Sequence, residues 1–415
     1  MRVLIAGGGI GGLAAALSLH AAGIEAEVFE QAPEIRPLGV GINVLPHAMR
    51  ELTELGLHQR VAAAGIVTQE LAYANRFGQM IWSEPRGRFA GYSWPQVSIH
   101  RGRLHLELLA AARERLGDER IHLDASMLGF EQDDAGVTLR LADGRSARGD
   151  VLVAADGIHS VARSTFYPDE GPPIWKGPIL WRATSIAAPF LTGATMVGIG
   201  NRDVKFVVYP IADAPDGRKL TNWIAEIRVP ADQTWKREDW NRPGRIEDFL
   251  YAFEEWRFPW LDVPALIRSA QAVYEFPMVD RDPLPRWTHG RVTLLGDAAH
   301  PLYPIGSNGA SQAILDARTL ALTLATGADA VAGLNDYEAI RRPATAALVA
   351  ATRGDGPDVV LDIAEARAPR GFDDIDTVFP HAERAEIAAH YKRLAGFEPA
   401  TLNARPSLNP PRRAA

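Results

Sequence analysis

Gly7, Gly9 and Gly12 fall in the pattern G-x-G-x-x-G, between an apolar, partly β-branched run at residues 2–6 and a helix-forming run at 13–20. A second short run, Glu25 to Phe29, follows and ends on Glu30. In such a strand–turn–helix–strand unit the glycines let the backbone turn tightly, approach a pyrophosphate and pack helix against strand. The unsatisfied N–H groups and positive end of the helix then hold phosphates. An acid in the place of Glu30 accepts hydrogen bonds from an adenosine ribose. A glycine-rich βα turn can also be purely architectural. The strand before, the helix after and the placed acid together favour a dinucleotide, leaving open a bound flavin or a passing nicotinamide.

Two more turns of this kind follow apolar strand-like runs. Asp156-Gly157 comes after residues 150–154 (DVLVA), and Gly296-Asp297 comes after residues 291–295 (RVTLL). The second continues through Gly306, Ser307, Asn308 and Gly309 into a helix expected from Ala310. Turns at the carboxyl ends of parallel strands share one edge of the sheet, where ligands bind. One molecule long enough to touch all three is flavin adenine dinucleotide, FAD. Other chemistries lack their residues. There is no cysteine, no G-x-S-x-G elbow, and no histidine–carboxylate spacing suited to a metal.

The elements that must position these turns are legible in outline. The chain has 415 residues, 47% hydrophobic and 23% charged, which suits a globular protein of roughly two or three domains. A net charge of −7 without a long basic run argues against nucleic acid. No apolar run approaches the length of a membrane span, and the apolar N-terminus is already explained as strand and helix, so no membrane partner and a cytoplasmic location are expected. A loop with Pro33, Pro37, Gly39 and Gly41 precedes a helix at Pro46 to Gly56. Further helices are expected at 100–116, 246–256, 310–326, 334–352 (interrupted near Pro343) and 381–396. Strands are expected at 121–125, 127–132, 137–141, 179–184, 195–199, 205–209 and 222–229, with Asp143-Gly144 as a hairpin turn. Aromatic residues cluster in 71–94 and again in 167–273, where Trp175, Trp181, Trp223, Trp235, Trp240, Trp256 and Trp260 lie. They read as one second sheet, whose aromatics fill a core, line a pocket for a flat ligand, or both.

With these motifs in hand, the chain resembles the single-component FAD-dependent aromatic hydroxylases (class A flavoprotein monooxygenases) over roughly residues 1–345. The residues that carry the resemblance are Gly7 to Gly12, Asp156-Gly-Ile-His-Ser160-Val-Ala-Arg163 and Gly296-Asp297-Ala-Ala-His300-Pro301. Trp181-Arg182 after Trp175-Lys176-Gly177, and Pro304 to Asp316, are similar to the phenazine-modifying, 5-methylphenazine-1-carboxylate 1-monooxygenase-like branch.

The resemblance implies an α/β, Rossmann-like FAD-binding domain (1–70, 98–166 and 275–345) with an inserted, mainly antiparallel substrate domain (71–97 and 167–274). Residues 346–415 form a C-terminal helical extension and tail, with 407–415 loose. It implies FAD as cofactor, with Gly7, Gly9, Gly12, Glu30, Gly41, Arg101, Asp156, Gly157, Asp297, Gly306, Ser307, Asn308, Gly309 and Ala310 around it. Arg101 would lie along the pyrophosphate or ribityl chain, and Asp297 would bind ribityl hydroxyls. The amides from Gly306 onward would face the isoalloxazine, although the family's usual G-x-G is here Gly306-Ser-Asn-Gly309. NAD(P)H is the implied transient co-substrate. The implied reaction is NAD(P)H- and O₂-dependent hydroxylation of an aromatic or heteroaromatic molecule, carboxylated and phenazine-like ones included, through a flavin C4a-hydroperoxide. Pocket candidates are Trp181, Arg182, Tyr209 and Tyr303, in a monomer or homodimer. The alternatives are an FAD-dependent oxidase or dehydrogenase, and a non-catalytic flavin-binding protein. The tryptophan-rich W-x-W-x-I-P signature of flavin halogenases is not found.

Overall fold

Val3, Leu4 and Ile5 are wholly buried in the computed structural model, which describes residues 1–37, 39–229, 242–354 and 356–410. Their strand, Arg2–Ala6, lies inside a six-stranded sheet, with Val151–Ala154 on one side and Glu25–Phe29 on the other, both parallel to it. Val292–Leu294 pairs parallel beyond Val151–Ala154, and Thr288–His289 adds an antiparallel edge. Helices Ile10–Ala21, Arg101–Leu116 and Gly309–Thr326 pack together beside this sheet. A three-stranded antiparallel sheet, 127–133, 136–141 and 146–149, lies against Arg2–Ala6 and Val151–Ala154. Cover on both faces explains why the central strands are continuously apolar. All three ligand-type turns leave the carboxyl ends of these parallel neighbours.

The second sheet has seven strands in the order 273–280, 174–187, 219–228, 204–213, 195–200, 70–74 and 80–85. Every pair is antiparallel except 195–200 with 70–74. Trp181, Phe206, Trp223, Phe249, Phe253 and Trp256 form an aromatic layer on one face, with Trp181 stacked on Phe249 at 5.0 Å. Removing a side chain such as the fully buried Trp223 from this layer costs about 3–5 kcal/mol. The opposite face looks back to the first sheet, and the small sheet 41–44, 96–100 and 65–68 lies between them.

Several expectations are corrected. Residues 246–256 make two short 3₁₀ turns, Ile246–Asp248 and Leu250–Ala252, in place of a helix, because Phe249 and Phe253 must both plug into the aromatic layer. The strand expected at 121–125 shrinks to Ile121–His122. The helix Ala330–Arg353 runs unbroken through Pro343. That residue and Ala339, whose carbonyl it leaves without an intrahelical partner, are both exposed, so water satisfies the group. Strand Val273–Asp280 crosses the expected boundary at 274/275, since it pairs along the substrate sheet. Helix Val263–Arg268 was not foreseen.

The tail is tied down as far as it is described. Arg50 donates to the carbonyls of Arg405 and Pro406, and Arg318 to Asn409 Oδ1. Trp235 and Trp240 lie outside the described residues. Among the described residues, no helix is long and apolar enough to cross a membrane, and no group of histidines and carboxylates is placed to hold a metal.

Candidate functional site

The first turn is built for close approach. A Cβ on Gly7 (φ +104°) would come within 2.3 Å of the Ala155 carbonyl oxygen, and one on Gly12 within 1.9 Å of Gly7 O. Around Gly9 there is open space. Gly9 is also the N-cap of helix Ile10–Ala21 and supplies no side-chain cap, so the first amides of that helix stay available to an anion. Glu30 accepts from the amides of Gly8 (2.6 Å) and Ala32 (2.8 Å), which locks the turn. A carboxylate has about four acceptor sites, so both oxygens retain capacity for ribose hydroxyls.

Asp156 lies between Ala155 and Gly157, which form the cavity wall. Its Oδ2 accepts from Val161 N (2.7 Å) at the head of helix Val161–Phe166, while its buried Oδ1 has no hydrogen-bond partner among the described residues. Arg163 pairs with Glu170, and also donates to the carbonyls of Ala298 and Ala299, fastening the second turn to the third.

At the third turn, Asp297 opens into the cavity and makes no hydrogen bond among the described residues, while burial raises its carboxyl pKa. Such a group fits a polyol that supplies donors. Behind it, Asp316 accepts from Gly296 N (3.1 Å) and pairs with His300 (2.5 Å) and Arg341 (2.7 Å). Burial opposes the charge of Asp316, but His300 and Arg341 outweigh it and hold its pKa at about 2. Arg101 lines the same cavity, and its guanidinium has no acceptor among the described residues.

The last turn has two consecutive left-handed residues, Gly306 (φ +71°) and Ser307 (φ +57°). They present the head of helix Gly309–Thr326 to the cavity, where Gly306, Ser307, Gly309 and Ala310 are all wall residues. Ser307 N is already used by Pro304 O (3.1 Å) and is not available to a ligand. The Asn308 side chain points away from the cavity and donates to Tyr391 Oη (2.8 Å) and Gly306 O (3.1 Å). Tyr391 lies directly beneath Gly306, where a Cβ would meet its hydroxyl at 2.0 Å. This residue of the C-terminal extension carries no motif, and only the structure shows that it supports the turn.

One continuous cavity of about 380 Å³ joins the three turns to the substrate sheet. Gly41 lines it, with its amide held by Asn222 Oδ1 (2.6 Å). Arg182 and Tyr209 line it too, and burial raises the Tyr209 phenol to about 12. Arg182 donates weakly to Gly41 O (3.3 Å) and lies 5.7 Å from the Phe276 ring centre. It pairs with no carboxylate among the described residues, and its Nε has no partner.

Trp181 is corrected. Strand alternation sends it to the aromatic layer on the far face, opposite its neighbour Arg182. Tyr303 is corrected as well. It sits within the cluster of Leu180, Ile224, Phe276, Met278 and Ile305, beside the wall instead of on it. Sequence reasoning missed Tyr73, Arg86, Gln96, Lys205, Glu226 and Asp358, all of which line the cavity. The i, i+2 spacing of Lys205, Val207 and Tyr209 was the available signal for one of them.

An open helix head, an unpartnered guanidinium, an unpartnered carboxylate and a second helix head lie along one cavity, as an FAD requires. The comparisons agree. The FAD binding domain family model matches residues 1–172 and 269–352. The chain is 45% identical over 361 residues (85% of this chain, 89% of the relative) to phenazine 1,6-dicarboxylic acid hydroxylase of Lysobacter antibioticus. It is 34% identical over 418 residues (97% and 98%) to a 3-amino-4-hydroxybenzoate 2-monooxygenase of Streptomyces platensis. Its fold matches a salicylate hydroxylase substrate complex at TM-score 0.74, with 23% identity and 98% and 99% of the two chains covered. It also matches Klebsiella pneumoniae HpxO complexed with FAD and uric acid at TM-score 0.73, with 24% identity and 95% and 93% covered.

Proposed function

The chain belongs to the FAD binding domain family and is an FAD-dependent monooxygenase, and from that premise we propose that it hydroxylates a carboxylated aromatic or heteroaromatic molecule of phenazine-like size. The observation that carries this reading is the single cavity running from the glycine turn to Arg182 on the substrate sheet. When bound, FAD supplies the redox chemistry, taking hydride from NAD(P)H and activating O₂.

The chain's own residues do the rest. The amides at the heads of helices Ile10–Ala21 and Gly309–Thr326 answer negative charge at the two ends of the cofactor. Arg101 adds a cation and Asp297 an acceptor between them. Leu180, Met196, Val207, Ile224, Phe276 and Met278 give the substrate end apolar walls that exclude water. In this reading Arg182, a cation without a carboxylate partner among the described residues, takes the substrate's acid by a charge-assisted hydrogen bond.

The test is purification of the yellow protein, followed by NAD(P)H oxidation with phenazine carboxylates, hydroxybenzoates and related heteroaromatic acids, with product masses measured. Substrate-stimulated oxidation that yields an oxygenated product supports the reading. Turnover to hydrogen peroxide alone with every acid favours an oxidase. Flavin that neither nicotinamide reduces favours a binding protein without turnover.

A further inference from the structure

Away from the glycine turn, the cavity wall carries three side chains that the reaction above does not use. Lys205 Nζ lies 3.1 Å from Glu226 Oε2 and 2.9 Å from Asp358 Oδ2. The Tyr73 hydroxyl donates to the other oxygen of Asp358 at 3.0 Å. Asp358 comes from the C-terminal extension, beyond residue 352 where the family match ends. The cluster is deeply buried, with side-chain exposures of 6% for Lys205, 7% for Glu226 and 14% for Asp358. Arg86, a further cation on this wall, is already held by Glu84 (2.8 Å), which also holds Lys392 (2.7 Å).

Both oxygens of Asp358 are occupied, whereas Glu226 engages Lys205 through Oε2 alone and lines the cavity. An acceptor open to the cavity is free to take a donor from a ligand bound there. Its place on the sheet is defined. Arg182 pairs with Ile224, so Glu226 stands on the next strand, two residues along the same face. Such diagonal neighbours lie roughly 7–8 Å apart, with their Cβ atoms somewhat closer, a separation that a carboxylate and a second substituent on one aromatic acid can span.

We propose that Glu226 is a specificity-determining acceptor that reads a hydrogen-bond donor on the aromatic substrate, a hydroxyl, amino or ring N–H group, beside the carboxylate held by Arg182. Asp358 is a positioning residue, acting at one remove by fixing Lys205 and hence Glu226. The C-terminal extension thereby takes part in substrate choice. A second carboxylate at this place would face Glu226 as a like charge. The inference rests on the aromatic-acid reading above and goes further by assigning a second recognition point.

The experiment measures dissociation constants on the oxidised holoenzyme by perturbation of the flavin absorbance. The probes are two pairs, phenazine-1-carboxylate with 6-hydroxyphenazine-1-carboxylate and benzoate with 3-hydroxybenzoate, together with phenazine-1,6-dicarboxylate. In the wild type the hydroxylated member of at least one pair binds about tenfold tighter, as expected of a hydrogen bond to a charged group. Phenazine-1,6-dicarboxylate binds more weakly than the hydroxy acid. Glu226→Gln reduces the hydroxyl preference to about threefold or less, and Asp358→Asn moves it the same way. In both variants affinity for the unhydroxylated members and FAD content stay near wild type, while the melting temperature falls because a buried ion pair is weakened. Equal wild-type affinity within both pairs, or tighter binding of the dicarboxylate than of the hydroxy acid, overturns the inference whatever the variants do. A preference that survives Glu226→Gln overturns it too. Failure of every probe to perturb the flavin overturns the aromatic-acid reading and this inference with it.

Discussion

Replacing Arg182 by methionine keeps most of the apolar stem and deletes the charge. In the protein alone this forfeits little. The side chain gives up a long hydrogen bond to Gly41 O (3.3 Å) and its approach to the Phe276 ring (5.7 Å), and no carboxylate is left unpaired. The penalty emerges only when an acid is bound. A hydrogen bond between charged partners contributes about 2–3 kcal/mol, and each 1.4 kcal/mol is a factor of ten. The KM for a carboxylated substrate should therefore rise roughly 30- to 150-fold, while its carboxamide analogue, which keeps the rings and loses the charge, should change about threefold or less. Steady-state NAD(P)H oxidation with the two compounds, on wild type and Arg182→Met at matched FAD content, measures the difference directly. Parallel increases for acid and amide would refute the assignment and leave Arg182 a wall residue that shapes the pocket.

Asp297→Ala should lower FAD retention, read as the ratio of flavin to protein absorbance after gel filtration; full retention would remove the polyol-binding role. Gly306→Ala must accommodate both φ +71° and the Tyr391 hydroxyl 2.0 Å from the new Cβ. It should cost about 1–2 kcal/mol from the backbone alone and release flavin more readily, checked by denaturation and by flavin fluorescence. His47 is fully buried and stacked on Phe397 at 5.1 Å, and burial lowers its pKa to about 3. It is neutral when folded, whereas the unfolded imidazole gains a proton below about 6.5, so its contribution is complete above that pH and falls by about 1.4 kcal/mol per unit towards 3. The stability difference between wild type and His47→Gln should thus shift by about 1.3 kcal/mol between pH 7.0 and 5.5. A constant difference in urea titrations at the two pH values would show that His47 is not the group responsible.

The flavin half of the site was legible because each turn is a local event. Gly7, Gly12 and Gly306 are glycines for reasons set by atoms a few ångströms away, and the apolar runs before the turns are strands because helices or a second sheet cover both faces. Asp156 shows the limit, since its D-G spelling gives no sign that one of its carboxylate oxygens caps a helix. The substrate half was read less well. Trp181 and Arg182 are adjacent, so one must leave the cavity, and only the register with Ile224 and Ala225 settles which. Lys205, Glu226 and Asp358 meet across strands and across more than 150 residues of chain, a closeness that no spacing encodes. The same holds for Tyr391 under Gly306.

The parallel sheet also imposes an order of events on biosynthesis. Val3 pairs with Val151, and Leu152 with Val292, so each pair of neighbouring strands at the heart of the flavin site is separated by about a third of the chain. No ribosome-bound fragment shorter than about 300 residues can hold all three turns, because the third starts only at Gly296. Long-range pairings of this kind form slowly, since loop closure must precede the contacts that reward it. Arg318 then waits for Asn409, which is made later still. Cofactor loading therefore follows synthesis of the third turn, and truncation before Asn409 should reduce the yield of flavin-loaded protein before it alters any residue that touches the flavin.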